Sequence, residues 1–119
     1  IRKLWYAVLE SRELGKRPLG VTRLGERLVF WRGADGKPVC FYDRCAHRGA
    51  SLAQGKIVNG QRLQCPFHGL EYDPSGRCVL IPANGRNAPV PPQFLMKSYP
   101  CHEDHGIIWI WWGDDPPAD

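Results

Sequence analysis

At 119 residues, with 43% hydrophobic and 24% charged side chains, the chain has the size and balance of one globular domain able to bury a core unaided. A net charge of +4, from 16 Lys and Arg scattered among 12 Asp and Glu, is too mild for a nucleic-acid binder. No apolar run reaches membrane-span length, nothing resembles a secretory leader, and the five cysteines are odd in number; neither a bilayer anchor nor a disulfide scaffold is expected.

In chain order, short runs rich in Val, Ile and aromatics follow one another: "LWYAVL" (Leu4 to Leu9), "GVTRL" (Gly20 to Leu24), "RLVFWR" (Arg27 to Arg32), "VCFY" (Val39 to Tyr42), "RLQC" (Arg62 to Cys65), "CVLI" (Cys78 to Ile81) and "IIWIWW" (Ile107 to Trp112). Turn signals separate them at Gly25-Glu26, Asp35-Gly36, Asn59-Gly60 and Ser75-Gly76. "ESRELG" (Glu10 to Gly15) has room for one helical turn, and no long segment carries a 3.6-residue period. The Pro- and Gly-punctuated stretch Asn84 to Phe94 reads as a long loop. The expectation is an all-β sandwich or barrel.

Two loops carry chemistry. "CAHRG" (Cys45 to Gly49) and "CPFHG" (Cys65 to Gly69) each follow a predicted strand and set one thiol and one imidazole on a Gly-terminated tip. The spacing is Cys-x-His, 17 residues, then Cys-x-x-His, and the Asn59-Gly60 turn lies in the gap, where it can bring the two tips together. Two thiolates and two imidazoles close a tetrahedral zinc site. They equally hold a [2Fe–2S] cluster, with the thiolates on one iron and the imidazoles on the other. The glycines favour the cluster: Gly49 and Gly69 let backbone N–H groups approach, which negatively charged bridging sulfides use and a lone zinc ion does not. Neutral imidazoles in place of two thiolates remove negative charge from the cluster, which raises its potential to roughly −150 to +300 mV. Cys40, Cys78 and Cys101 read as ordinary packing thiols.

On these residues the sequence resembles the Rieske iron–sulfur proteins. The resemblance implies a Rieske-type antiparallel β-sandwich or barrel with a small cluster-binding subdomain of two hairpin loops. It further implies a [2Fe–2S] cofactor, with Cys45 and Cys65 on the inner iron and His47 and His68 on the outer iron. In the Rieske proteins of respiratory and photosynthetic complexes each loop has an additional Cys, and a hydroxyl residue follows the second His-Gly; here those places hold Ala50, Phe67 and Leu70. Fewer hydrogen bonds to sulfur stabilise the reduced state less, so a potential in the lower part of the Rieske range is expected. Two readings stand for Tyr72: a donor to a cluster thiolate, or a core residue.

"WYAV" (Trp5 to Val8), "ERLVFWR", "CPFHGLEYDPSGRCVLIP" (Cys65 to Pro82) and "GIIWIWWGD" (Gly106 to Asp114) resemble the N-terminal Rieske domain of non-haem iron oxygenases of the vanillate O-demethylase, phthalate oxygenase and pheophorbide oxygenase-like groups. That resemblance implies a cytoplasmic electron-transfer domain over residues 1–119, part of an oxidoreductase. A reductase or ferredoxin feeds it, and it delivers electrons to a mononuclear iron in a larger C-terminal domain, often in the adjoining subunit of a trimer. No catalytic residue is expected in this chain. The opening Ile1 and the tail "GDDPPAD" fit a piece of such a longer chain, with the tail as linker. The rival is a freestanding Rieske ferredoxin, and a third class is a zinc-stabilised interaction domain. Arg44 and Arg48 are placed to steer an acidic donor. "HEDH" (His102 to His105) reads as a polar turn, "PVPP" (Pro89 to Pro92) as a cover over the cluster or a rigid connector, and Trp109, Trp111 and Trp112 as core plus one interface residue.

Overall fold

The computed structural model describes residues 4–43, 52–66, 69–82, 85, 89–90 and 95–112. Eleven strands run β1 (Leu4–Glu10), β2 (Leu19–Arg23), β3 (Glu26–Arg32), β4 (Pro38–Tyr42), β5 (Lys56–Val58), β6 (Arg62–Gln64), β7 (Glu71–Tyr72), β8 (Cys78–Leu80), β9 (Ser98–Tyr99), β10 (Cys101–Asp104) and β11 (Ile107–Trp112). They form three antiparallel sheets of order β1-β11-β10, β2-β3-β4-β9 and β5-β6-β7-β8. The helical content of the described residues is two 3-10 turns, Ser11–Glu13 and Leu52–Gln54. The all-β expectation therefore holds, and the helical turn foreseen at Glu10 to Gly15 is the first of these.

Alternation along β3 explains the layering. Side chains of successive residues point to opposite faces. Leu28 and Phe30 enter one core with Val8, Leu9, Leu14, Cys40, Tyr99, Ile108 and Ile110. Val29 and Trp31 enter a second core with Phe41, Leu52, Leu63, Cys65, Leu70, Tyr72, Cys78 and Met96. The β2-β3-β4-β9 sheet is thus the middle layer, covered on one face by β1-β11-β10 and on the other by the β5–β8 sheet. This is why β3 reads as a nearly continuous apolar run.

The turns follow from positive φ. Leu24 and Gly25 (φ 54° and 78°) join β2 to β3, and His105 and Gly106 (53° and 74°) join β10 to β11. Both are two-residue hairpins, closed by the pairs Arg23–Glu26 and Asp104–Ile107, of the kind whose twist matches the strands. The first turn centres one residue earlier than the Gly25-Glu26 signal.

Four strands were not foreseen: β5, β7, β9 and β10. The last corrects the reading of "HEDH" as a turn. Cys101–Asp104 pairs along its length with β11, and only His105 lies in the turn. A polar segment becomes a strand here because β11 offers it a hydrogen-bonding edge. The stretch Asn84 to Phe94, "PVPP" within it, lies mostly outside the described residues, as does the tail after Trp112.

Candidate metal centre

The two signature loops adjoin strands of different sheets. β4 ends at Tyr42, and the first loop follows; the second is the connection from β6 to β7. Of the four expected ligands the structure describes Cys65. Cys45, His47 and His68 lie outside the described residues, as do Arg44, Arg48, Gly49, Ala50 and Phe67.

What is described is how the loops are held at their feet. Asp43 stands just before the first loop and is 6% exposed. Its Oδ1 accepts hydrogen bonds from the backbone N–H of Leu52 (2.6 Å) and of Ala53 (3.1 Å), the first residues after the loop. One carboxylate thereby ties the exit of the loop to its entry and satisfies donors at the start of the 3-10 turn, as an N-cap does. That turn lies close against β2: a Cβ on Gly20 would come within 2.6 Å of the Ala53 Cβ. It also lies against β6, since a Cβ on Gly55 would sit 2.0 Å from the Gln64 carbonyl oxygen. Neither position admits a side chain without movement. Sequence reasoning singled out none of Gly20, Asp43 and Gly55, because a lone Asp or Gly has no pattern around it.

The second loop is pinned by its own backbone. Cys65 N–H donates to the Leu70 carbonyl (2.7 Å), and Gly69 N–H donates back to the Cys65 carbonyl (3.1 Å). Gly69 has φ +75°, and a Cβ there would press on Pro82 Cγ at 3.3 Å. A left-handed residue in a close cradle is the task only glycine performs freely. The Cys65 side chain, 2% exposed, shares a core with Leu52, Leu70 and Tyr72. The residue leaving the first loop and both ends of the second therefore meet in one apolar cluster. Tyr72 is fully buried in that cluster, which fits either reading made of it.

A [2Fe–2S] group fits what is described: a thiol at the margin of an apolar core, beside a glycine turn that brings main chain close. Of the other described cysteines, Cys78 is buried in the same core as Cys65, and Cys40 and Cys101 belong to the core on the other face of the middle sheet. Burial pushes the Cys101 thiol up to about 12, and pushes Cys40 well above the ordinary thiol range. Thiols held protonated in this way act as packing residues, as expected. Among the described residues no three His, Cys, Asp or Glu side chains form a metal-sized group. Within "HEDH", His102 lies edge-on to Trp5 (4.4 Å between centroids) and parallel to Trp109 (6.4 Å), while His105 sits in its turn beside Asp104. The aromatic run also differs from expectation. Trp112 stacks on Tyr99 (5.4 Å), but both Trp109 and Trp111 project to the outer face.

Comparison with known proteins agrees with the motif. Residues 4–100 match the Rieske [2Fe-2S] domain, and the chain belongs to that family, whose cofactor is the [2Fe–2S] cluster. It is 42% identical over 119 residues to the oxygenase component of dicamba O-demethylase from Stenotrophomonas maltophilia, covering 100% of this chain and 34% of that protein. It is 38% identical over 117 residues to aminopyrrolnitrin oxygenase PrnD from Pseudomonas fluorescens, covering 95% of this chain and 32% of that protein. A crystal structure of dicamba monooxygenase with non-heme iron and dicamba superposes with a TM-score of 0.87 at 42% identity, over 95% of this chain and 34% of that one. The relatives named here are Rieske oxygenases, and this chain spans about a third of their length. No helix among the described residues is long and apolar enough to cross a membrane.

Proposed function

We propose that this chain is the electron-transfer part of a longer Rieske non-haem iron oxygenase, with Cys45, His47, Cys65 and His68 as ligands of the cluster. On this reading residues 1–119 form one Rieske domain. It accepts electrons from a reductase or ferredoxin and passes them to a mononuclear iron in the remainder of the polypeptide, where an organic substrate is hydroxylated or demethylated. The parent protein is cytoplasmic and assembles as a trimer. The observation that carries the reading is the pair of sequence motifs, Cys-x-His and Cys-x-x-His, in a chain whose relatives include the oxygenase component of an O-demethylase and an oxygenase.

A bound [2Fe–2S] cluster supplies reversible one-electron carriage, at a potential raised by its two neutral ligands. The chain's own residues set the conditions for it. Asp43 fixes the feet of the first loop, Gly69 shapes the second, and Leu52, Leu70 and Tyr72 wall the thiolate side from water. His47 and His68 each keep a second ring nitrogen to hydrogen-bond an acceptor group. Arg44 and Arg48 add positive charge beside the site and favour an acidic donor.

The test is single-turnover oxidation in the polypeptide encoded by the full gene. Chemically reduced protein given iron, dioxygen and candidate aromatic methyl ethers should yield product in proportion to its cluster content. A reading frame that stops just after Asp119 would instead identify a freestanding ferredoxin.

A further inference from the structure

We propose that Glu71 and Arg62 tune the reduction potential of the cluster in opposite senses, the buried acid holding it down and the more exposed base holding it up by less. This rests on the reading of Cys45, His47, Cys65 and His68 as ligands of a [2Fe–2S] group, and deepens it.

Among the described residues two carboxylates are buried, Asp43 and Glu71, and each stands at the foot of a signature loop. Asp43 has a structural task there, since it accepts from the N–H groups of Leu52 and Ala53. Glu71, 7% exposed, has no such task. Among the described residues its carboxylate has one partner, Arg62, whose Nη1 donates at 3.3 Å. Taking a carboxylate out of water is costly, and one long contact to a half-exposed guanidinium offsets little of that cost. The core does not call for the residue either. Leu70 and Tyr72 enter the core, and alternation turns Glu71 to the opposite face of the sheet. Stability alone therefore does not account for a charge at this position.

Its placement does. Glu71 follows Leu70, whose carbonyl accepts the Cys65 N–H at 2.7 Å, and it pairs across the ladder with Gln64, the residue before Cys65. The carboxylate thus stands beside the foot of a ligand. Arg62 lies two residues further back along β6, and its side chain is 39% exposed. A buried charge acts through a low effective dielectric, whereas an exposed one is screened by water and salt. Adding an electron to the cluster adds negative charge, so the near acid opposes reduction and the farther base favours it less strongly. Two other charges lie close. Lys56 pairs with Gln64 from the other side but is exposed, and Asp73, beyond β7, is held in its own turn by the N–H groups of Ser75 and Arg77. The net effect has the same sign as the lower potential expected from Leu70 in place of a hydroxyl residue.

The test is a spectroelectrochemical titration of the cluster in the intact protein, with all variants at one pH and ionic strength. Glu71→Gln, close in shape, should shift the midpoint potential upward. Arg62→Gln should shift it downward by a smaller amount, and Arg62→Lys, which keeps the charge, should leave it near the wild-type value. The double variant should fall between wild type and Glu71→Gln. Iron content and the EPR line shape of the reduced protein should match wild type throughout, which separates a change of charge from a damaged site. Shifts of the same sign in the two single variants would mark a structural disturbance and overturn the proposal, as would an unmoved potential in loaded Glu71→Gln. Should Glu71→Gln fail to load, Arg62→Gln decides: a potential that stays or rises overturns the proposal. Unmoved potentials in loaded variants would leave the ligand reading standing, whereas a wild-type protein without a cluster signal would sink that reading itself.

Discussion

Around the middle sheet the strands are five to seven residues long at β1 to β4 and six at β11, and two of their connections are two-residue hairpins. In the sheet below the loops, β5 to β8 have two or three residues each. Long strands fix their own register, because a one-residue slip would turn every core side chain outward. Strands of two or three residues have no such protection. The cluster half is instead held by close backbone approaches at Gly20, Gly55 and Gly69, by Asp43, and, on the proposed reading, by the cluster. One half is specified locally; the other depends on particular atoms.

The difference can be broken most severely at the ligand. Cys65→Ser should remove nearly all bound iron and acid-labile sulfide, measured by elemental analysis, and lower hydrogen-exchange protection in β5–β8 while β1, β3 and β11 keep theirs. Uniform loss of protection would mean that the two halves fold as one unit. Next is Gly55→Val, whose side chain would start 2.0 Å from the Gln64 carbonyl oxygen. Overpacking of this kind costs on the order of 3 kcal/mol. Gly15→Ala, with nothing within 4 Å, should be nearly neutral in the same denaturant titration.

Asp43→Ala leaves the N–H groups of Leu52 and Ala53 without their carboxylate acceptor, for an expected loss of about 2 kcal/mol. Asp43→Asn, which keeps an acceptor oxygen, should recover part of that. A smaller effect than that of Asp43→Ala lies on the other side of the molecule. Arg32 donates to both carboxylate oxygens of Glu103 at 2.9 Å and holds its pKa down to about 2 from 4.5. A depressed acid stabilises the fold above its unfolded pKa, so this contribution should be complete above pH 4.5 and fade as the pH falls toward 2. The pair is partly exposed and screened by solvent, so Glu103→Gln should cost only about 1 kcal/mol at neutral pH. The acid limb of the unfolding profile should flatten with it.

These regions also differ in what their residues disclose. Runs such as "RLVFWR" and "IIWIWW" declared strands because apolar side chains fill both faces or alternate over six or seven residues. "KIV", "EY", "SY" and "CHED" are too short or too polar to carry a period, and become strands only through their neighbours. At the site, the paired Cys and His spacing was readable because few chemistries use it. Asp43 and Gly55 were not, because their roles are defined by Leu52, Ala53 and Gln64, contacts that no spacing encodes.

The central claim is that Cys45, His47, Cys65 and His68 hold one mixed-ligand [2Fe–2S] cluster. Its most direct test is EPR of the dithionite-reduced protein, with nitrogen hyperfine couplings recorded on the same sample. The account predicts an anisotropic signal of low average g coupled to two imidazole nitrogens, with one coupling lost in each of His47→Cys and His68→Cys or the cluster lost altogether. A colourless protein containing zinc and no acid-labile sulfide would contradict it, as would a cluster signal without nitrogen coupling.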